Sequence, residues 1–364
     1  KPSEFCYGFF AFFNRGKTME WHAIQDILFK VVGGLGIFLL GMKYMSEGMQ
    51  AVAGSRLRKM ISAVTDNRMM ACCIGTLITG IVQSSSVTTV MTIGFVNSGF
   101  MTLMQAIGVI LGANIGTTVT AQLIAFKITK YALPAIGIGA GFKLFTKNKK
   151  WSYFGEILLG FGLLFFGLSV MKQAFDPLKT SDEFRQLFMI VGDNHLVGVM
   201  IGAILTMIVQ SSSATIGITI ALATSGILSF DASVALILGE NIGTTITANL
   251  AAIGTNLAAR RTAFAHFLFN TLGVCYMLLF FPFFLNFISS MTPGDADFVI
   301  QTQDQVARMG GELGDKPFIA RHIANTHTMF NIVNTIIFLP LVGLLAKIST
   351  VVIRGSDENI EFHL

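Results

Sequence analysis

The sequence predicts an all-α membrane protein with two inverted repeats, each holding a re-entrant helical hairpin and a broken transmembrane helix. Of its 364 residues, 53% are hydrophobic and 12% are charged, whereas about 25% of a soluble domain is charged. Several apolar stretches reach the roughly 20 residues needed to cross the hydrocarbon core of a bilayer. A long segment also occurs twice, which predicts a duplicated helical unit.

Apolar length and the polar joints between apolar stretches define the predicted elements. Full-length spans are predicted at 24–46, 102–126, 152–175, 232–254, 262–290 and 319–350, and a shorter stretch at 131–146 is a marginal span. The predicted organisation is an interfacial segment at 1–23, a first repeat at 24–126 with its hairpin at 69–100, a linking span and basic cytoplasmic loop at 127–151, a second repeat at 152–254 with its hairpin at 196–227, two further spans at 255–350 with an acidic external loop at 292–318, and a cytoplasmic tail at 351–364.

The repetition is strongest between residues 81–120 and 208–247. Both segments begin with IVQSSS and end with an NIGTT motif and one further pair of residues. Gln83 aligns with Gln210 and Asn114 with Asn241 at one constant offset, without a gap. Two motifs preserved together at one spacing predict that the two copies fold in the same way.

Each QSSS motif is flanked by two apolar halves that are too short to span the bilayer alone. The halves at 69–82 and 87–100 would each rise about 21 Å as helix, against a hydrocarbon core of about 30 Å. A hairpin that enters and returns fits this length, and the alternative is one long tilted helix with polar residues at its centre.

Charge favours the hairpins. If both are re-entrant and the chain begins outside, the basic loops at 54–68 and 143–150 face the cytoplasm, and the acidic joints at 176–195 and 292–318 face outward. Full spans would place the four-lysine loop at 143–150 outside, against the positive-inside rule. The span at 131–146 would then invert the second repeat.

The QSSS motifs predict an anion site at the bilayer midplane. A half-helix that begins at such a motif directs its free N–H groups and its positive dipole end at the site, and serine hydroxyls add further donors. Two copies that meet head to head would surround a tetrahedral anion. The candidate anion contacts are Gln83, Ser84, Ser85, Ser86, Ser212 and Ser213.

The NIGTT motifs predict further polar groups at the same depth. Gly116 and Gly243 permit local unwinding, so the motifs can offer carbonyl, amide and hydroxyl oxygens to a dehydrated Na⁺. Asn114 and Asn241 are also candidate anion contacts, and Thr117 and Thr120 are candidate Na⁺ ligands of the first copy. The alternative is that these side chains only join helices.

Glu240 stands where the first copy has Ala113. A carboxylate in an apolar helix is costly and commonly functional, so Glu240 is a candidate Na⁺ ligand or proton acceptor. The alternative is a residue at the wet edge of a cavity. A shorter repeat, called here the smaller echo, matches His266 and Asn270 with His327 and Asn331, and in each pair the two residues are four positions apart. Hydrogen bonds between helices are the favoured interpretation of these four side chains.

Other chemistries find little support in the sequence. There is no phosphate-binding GxxxxGK loop, no GxSxG elbow and no HExxH pair, so neither ATP-driven transport nor these hydrolytic activities are predicted, and we expect no enzyme activity. The Arg260–Arg261 pair is interpreted as a topological anchor, and no nucleic-acid partner is expected.

With these motifs in view, the sequence resembles the type II sodium-phosphate cotransporter family in a bacterial-type form, over about residues 30 to 350. The resemblance implies Na⁺-driven uptake of inorganic phosphate. It also implies that Gln210, Ser211, Thr244 and Thr247 coordinate Na⁺, and that Ser84 to Ser86 and Ser212 to Ser213 face phosphate. Glu240 departs from the animal members, which have Ser at this position, so the stoichiometry is left open.

The sequence therefore predicts a secondary active transporter of the bacterial inner membrane that couples Na⁺ entry to phosphate uptake. Its expected partners are phosphate, Na⁺ and the lipid bilayer, and a homodimer is compatible with the sequence. Alternatives are coupled transport of another small anion, an uncoupled anion channel and a membrane-embedded phosphate sensor.

Overall fold

The computed structural model describes residues 21–53, 67–126, 129–180 and 194–355. Most of the predicted interfacial segment and of the cytoplasmic tail lies outside the described residues. The regular structure within these ranges is entirely helical, as predicted. The helices are α1 Trp21–Ala53, α2 Arg68–Val82, α3 Ser85–Asn97, α4 Leu103–Ala125, α5 Ala132–Phe145, α6 Lys149–Ala174, α7 His195–Val209, α8 Ser212–Thr224, α9 Phe230–Gly243, α10 Ile246–Ala251, α11 Leu257–Leu279, α12 Phe281–Met291, α13 Gln303–Met309, α14 Ile319–Phe338 and α15 Val342–Val352, with short 3-10 turns at Thr129–Tyr131 and Asp176–Thr180.

Among the described helices, α1, α4, α6 and α11 are each long and apolar enough to cross a membrane alone. The pair α14 and α15 also qualifies, but it is bent by 83° between its two helices. The span predicted at 319–350 thus consists of two helices with a bend between them, because Pro340 lacks a backbone N–H and its ring obstructs a continuous helix. The predicted span at 262–290 is likewise divided, between α11 and α12.

Glycines bring the helices of each repeat into direct backbone contact. A methyl group on Gly112 of α4 would overlap the carbonyl of Cys72 on α2, and one on Gly239 of α9 would overlap the carbonyl of Val199 on α7. Gly112 and Gly239 are equivalent positions of the duplicated segment. Only glycine permits this distance between backbones, so the duplicated sequence produces the same packing twice.

Helix α4 runs without interruption through its NIGTT motif, so the predicted break in the first repeat is wrong. Thr117 donates a hydrogen bond to the Ala113 carbonyl at 2.9 Å and Thr118 to the Ile115 carbonyl at 2.8 Å, which satisfies both hydroxyls within the helix. Gly116 serves close packing against Thr76 of α2 and leaves the helix wound. In the second copy, α9 ends at Gly243 and α10 begins at Ile246, so the helix is interrupted there.

Equivalent helices of the two copies run in opposite directions along α14. Gln122 near the end of α4 contacts Asn325 near the start of α14, and Leu111 contacts Thr335 further along, so α4 is antiparallel to α14. At the start of α9, Phe230 contacts His322, and near its end Asn241 contacts Asn331, so α9 is parallel to α14. Helices α4 and α9 are therefore antiparallel to each other.

Polar contacts between helix ends form two groups, and the two groups lie at opposite ends of the helices that make up the hairpins. One group joins Arg68 to the Pro340 carbonyl at 3.1 Å and Asn97 to the Asn256 amide at 2.8 Å. The other group surrounds the C-terminal end of α8, where the Thr224 carbonyl accepts the Lys316 amide at 2.9 Å. Three carboxylate contacts complete it: Lys316 with Asp297 at 2.7 Å, Lys172 with Asp315 at 2.5 Å, and the Phe230 amide with Asp297 at 3.1 Å.

Candidate functional site

Both QSSS motifs form the same break between two helices. In the first, α2 ends at Val82, Gln83 adopts a left-handed conformation with φ 56° and ψ 27°, and Ser84 is extended with φ −149°. In the second, Gln210 has φ 55° and ψ 25°, and Ser211 has φ −147°. Gln83 and Gln210 are the non-glycine residues with positive φ in the described part of the chain. Such a backbone is uncommon outside glycine, and it frequently marks a functional site.

Capping explains why the chain breaks at these residues. Ser84 and Ser211 are the N-caps of α3 and α8, and their hydroxyls accept hydrogen bonds from the amides of Val87 and Ala214, each at 3.3 Å. Serine is among the preferred N-cap residues. The remaining first-turn N–H groups of both helices therefore face the break, together with the positive dipole ends.

The chain reverses direction at each break. The hydroxyl of Thr79 on α2 lies 3.0 Å from that of Thr88 on α3, and Thr206 and Thr215 make the same contact at 3.0 Å in the second copy. Nine residues of continuous helix would separate such atoms by about 13 Å. The alternative of one long tilted helix does not fit this geometry.

The two breaks meet at one cavity of about 390 Å³. Eight of the predicted site residues line it, four from each motif, and α1 closes one side. Helix α1 is held against both hairpins, since the Ser46 hydroxyl donates to the Val82 carbonyl at 2.5 Å and the Phe38 ring packs on Gly217 of α8. The lining residues are Met42, Lys43, Ser46, Glu47, Gln50, Gln83, Ser84, Ser85, Ser86, Val87, Gln210, Ser211, Ser212 and Ser213.

At the first break, the glutamine side chain is held by its own repeat. Gln83 is only 5% exposed. Its Oε1 accepts the Thr120 hydroxyl at 2.8 Å, and its Nε2 donates to the Gly80 carbonyl. The candidate Na⁺ ligand Thr120 is thus already paired with the candidate anion contact Gln83.

At the second break, the equivalent side chains are freer. Gln210 is exposed to the cavity, and its side chain has no hydrogen bond to another described residue. The Thr247 hydroxyl lies 3.0 Å from the Thr244 carbonyl and 3.4 Å from the Ser86 hydroxyl of the first motif. Thr247 therefore reaches from the second repeat to the tip of the first.

The remaining predicted site residues lie behind the cavity lining. Asn114 and Asn241 are buried, and their Oδ1 atoms accept the Nδ2 groups of Asn270 at 3.4 Å and Asn331 at 3.1 Å, respectively. The asparagines of the smaller echo thus join helices, as the sequence analysis favours. Thr117 and Thr244 are buried too, and the Thr244 hydroxyl donates to the Glu240 carbonyl at 2.8 Å.

Glu240 is also buried, at 1% exposure. Its Oε1 accepts the Thr219 hydroxyl of α8 at 2.8 Å, while its Oε2 has no partner among the described residues. An unpaired buried carboxylate oxygen is costly. This geometry ties α8 to α9 directly beside the second NIGTT motif, and it does not fit the alternative of a residue at the wet edge of a cavity.

Four polar residues of α1 are site residues that the sequence analysis missed. Lys43, Ser46, Glu47 and Gln50 line the cavity at one helical spacing, and Gln50 donates to the Ser46 hydroxyl at 2.8 Å. A polar stripe with this periodicity inside an apolar helix was a usable signal. The predicted span ends at residue 46, so Glu47 and Gln50 fall outside it, whereas α1 continues to Ala53.

Comparison with known proteins identifies relatives among bacterial and animal proteins. The chain is 32% identical over 311 residues to a Bacillus subtilis protein named "Uncharacterized protein YqeW", covering 85% of this chain and 93% of the relative. It is 27% identical over 331 residues to the Escherichia coli protein named "Putative inorganic phosphate export protein YjbB", covering 91% of this chain and 56% of that protein.

A shorter match links the chain to human sodium-dependent phosphate transport protein 2B, with 33% identity over 147 residues, 36% of this chain and 21% of the human protein. No solved structure matches the chain. The sequence model of the Na⁺/Pi-cotransporter family matches residues 37–173 and 178–291, which contain both QSSS motifs, both NIGTT motifs and the polar stripe of α1. The chain therefore belongs to the Na⁺/Pi-cotransporter family.

Proposed function

We propose that this protein moves inorganic phosphate across the bacterial inner membrane, coupled to Na⁺, by alternating access of the cavity between the two QSSS motifs. The observation that carries the proposal is the meeting of two duplicated helix breaks at one polar cavity. Family membership supports phosphate as the class of substrate, and the geometry supports this cavity as the place where it would bind.

The architecture we infer consists of inverted repeats whose hairpins are re-entrant. Helices α2 and α3 have 15 and 13 residues, or about 22 and 20 Å, which is less than the roughly 30 Å of a hydrocarbon core. The fold-back at Gln83 and the antiparallel courses of α4 and α9 support this inference. A site between inverted repeats, near the midplane, is the usual arrangement in secondary transporters.

The orientation we infer places the Arg68 end of the molecule in the cytoplasm. Arg260, Arg261 and Arg354 lie at the same end, since the Arg261 side chain donates to the Ile353 carbonyl at 3.2 Å. Asp297 and Asp315 lie at the opposite end, around the C terminus of α8. This distribution follows the positive-inside rule, with the loop 292–318 outside.

Phosphate suits the cavity because every part of the two breaks offers hydrogen-bond donors. The N-terminal ends of α3 and α8 each act as roughly half a positive charge. The serine hydroxyls of both motifs can donate to oxyanion oxygens from two sides. A tetrahedral anion can use both sets simultaneously, which one hairpin alone could not provide.

Sodium suits the second repeat more than the first. Gln210 presents a free amide oxygen to the cavity, and the hydroxyls of Ser211, Thr244 and Thr247 retain lone pairs for a cation. In the first repeat, Gln83 and Thr120 already satisfy each other, and Thr117 is bonded within its helix. Glu240 would add negative charge behind the second site.

Coupling follows from charge. Two partial helix charges and one lysine balanced by one glutamate leave the cavity short of the charge needed to bind a divalent anion away from water. A Na⁺ ion bound at the second break would raise the affinity for phosphate, and phosphate would raise the affinity for Na⁺ by the same factor.

The proposed direction is uptake, driven by the inward Na⁺ gradient. Phosphate export is a second candidate, and the observation that favours it is the name of the E. coli relative, which describes phosphate export. One cavity with alternating access could operate in either direction, so the gradients decide the result.

The test is transport in proteoliposomes that contain the purified protein. Radiolabelled phosphate uptake is measured with an inward gradient of Na⁺, K⁺ or choline, and efflux is measured from preloaded vesicles. We expect uptake with Na⁺ to exceed uptake with the other two cations at least about tenfold. Equal uptake with all three cations would refute coupling. Preloaded vesicles that show no counterflow of labelled phosphate would indicate a channel. Efflux without uptake would select export.

A further inference from the structure

The α1 side of the cavity carries its charged side chains. Among the lining residues in the described part of the chain, Lys43 is the one cation and Glu47 is the one carboxylate. The other polar lining groups are serine hydroxyls and glutamine amides, which are neutral. The helix ends donate hydrogen bonds only, whereas the hydroxyls and amides can either donate or accept, so Glu47 is the described lining group that accepts only and carries a negative charge.

The geometry leaves Glu47 available to a ligand. The bond from Ser46 to the Val82 carbonyl fixes this turn of α1 at the level of the first break. The nearest charged contact of Glu47 is Lys43 Nζ at 3.8 Å. The Glu47 side chain is 50% exposed and the Lys43 side chain is 66% exposed. This distance is an ion pair without a good hydrogen bond. Glu47 has no other polar contact among the described residues.

A free carboxylate beside an array of donors has a specific chemical consequence. Inorganic phosphate retains at least one P–O–H group at neutral pH, whereas sulfate has the same size and shape but carries no proton. Neutral groups that can either donate or accept discriminate weakly between the two anions. A carboxylate accepts the P–O–H hydrogen, and against sulfate it faces an oxygen lone pair and a like charge. A site built to bond a substrate O–H rejects an analogue that lacks it.

Building on the proposed function, we propose that Glu47 is a specificity-determining residue that selects protonated oxyanions over sulfate. Phosphate would bind with its unprotonated oxygens at the two helix N-termini and its hydroxyl toward Glu47. Lys43 contributes attraction for any anion, without discrimination.

The prediction concerns a ranking of four anions that differ mainly in protonation. Arsenate keeps a proton as phosphate does, and selenate lacks one as sulfate does. Competition against radiolabelled phosphate, on purified protein in Na⁺, should rank phosphate and arsenate above sulfate and selenate. In Glu47→Gln the ratio of phosphate to sulfate affinity should fall at least about tenfold, because a charged hydrogen bond and a like-charge repulsion are both removed.

Two matched variants separate this role from general charge. Lys43→Gln should weaken all four anions by a similar factor and keep the ranking. Asp26→Asn removes the acid of another i,i+4 pair on α1, in which Lys30 lies 2.6 Å from Asp26 outside the cavity lining, and it should change neither affinity nor ranking.

Three outcomes would overturn the inference. They are a wild-type protein that binds phosphate but does not rank the four anions, a folded Glu47→Gln variant that keeps the wild-type ratio, and a variant that loses Na⁺ activation with its anion ranking intact. The first outcome is decisive without any variant. A wild-type protein that binds none of the four anions would instead refute the proposed function, so the two failures are distinguishable.

Discussion

The two helix breaks have the same local structure and different surroundings. Gln83 and Gln210 share their backbone angles to within two degrees, and the threonine contact behind each break is 3.0 Å in both copies. Gln83 is nonetheless buried and bonded to Thr120, whereas Gln210 is exposed to the cavity. Identical tetrapeptides therefore fix the same turn, and the neighbouring helices decide what each glutamine can bind.

The difference suggests that the two repeats contribute differently to ligand binding. At the first break the glutamine side chain is bonded within the protein, whereas at the second break the Gln210 amide has no hydrogen bond to another described residue. The Thr247 hydroxyl, close to Ser86, links the two. A cation bound at the second break would thus affect the position of groups at the first break, where part of the proposed anion site lies.

The largest expected effect tests whether the two repeats share one packing scheme. Gly112→Ala and Gly239→Ala should each destabilise the protein by at least about 3 kcal/mol, because the new methyl group meets a backbone carbonyl that cannot move aside. Thermal unfolding of the purified protein measures this. Gly137→Ala, where nothing lies within 4 Å of the added carbon, is the control. Loss of stability in only one of the two variants would break the equivalence.

A second prediction separates the glutamines by stability. Gln83→Ala should cost about 1–3 kcal/mol, because it leaves the buried Thr120 hydroxyl without its partner. Gln210→Ala should change stability by no more than about 0.5 kcal/mol but should lower the apparent affinity for Na⁺ in transport. Equal unfolding temperatures for the two variants would contradict the different surroundings described above.

A third prediction uses the left-handed backbone that both glutamines adopt. Gln210→Gly should raise stability by up to about 1 kcal/mol, because glycine adopts positive φ without steric cost and no side-chain bond is lost. Gln83→Gly gains the same relief but loses the Thr120 bond, so it should be no more stable than wild type. Unfolding in increasing denaturant measures both, and a stabilised Gln83→Gly would contradict the contribution assigned to Thr120.

The smallest expected effect on stability concerns the bridge between the repeats. Thr247→Val removes a long hydrogen bond of 3.4 Å to the Ser86 hydroxyl and one of 3.0 Å to the nearby Thr244 carbonyl, and because valine has nearly the same shape the cost should be no more than about 0.5 kcal/mol. Na⁺ activation of phosphate uptake should nevertheless shift to higher Na⁺ concentration, since a candidate ligand is lost. Thr350→Val, in α15 and outside the site, is a matched control. Unchanged activation in Thr247→Val would remove this residue from the cation site.

The sequence predicts the duplicated parts of the fold well because duplication is an internal comparison. The helix pairs α2–α3 and α7–α8 lie within a few residues of the bounds predicted for the two hairpins, and both QSSS motifs line one cavity. The continuous course of α4 could not be predicted, since Gly116 suits unwinding and close packing equally, and only the partner helix α2 decides between them. The place of the α1 polar stripe at the cavity could not be predicted, because its aligned positions in the other copy are polar too. When LGIFLLG at 35–41 is matched with FGLLFFG at 161–167, Lys43 and Glu47 align with Ser169 and Gln173, which do not line the cavity.

The central claim is that both breaks hold one phosphate together, assisted by Na⁺. The most direct test is an isothermal calorimetric titration of the purified protein with phosphate, carried out once in Na⁺ and once in K⁺. We expect one phosphate per chain in Na⁺ and much weaker binding in K⁺. Ser86→Ala and Ser213→Ala, from the first and second breaks, should each weaken that single site by about tenfold, since each removes a hydrogen bond to a charged ligand. Two phosphates per chain, or full affinity in either variant, would contradict the shared site.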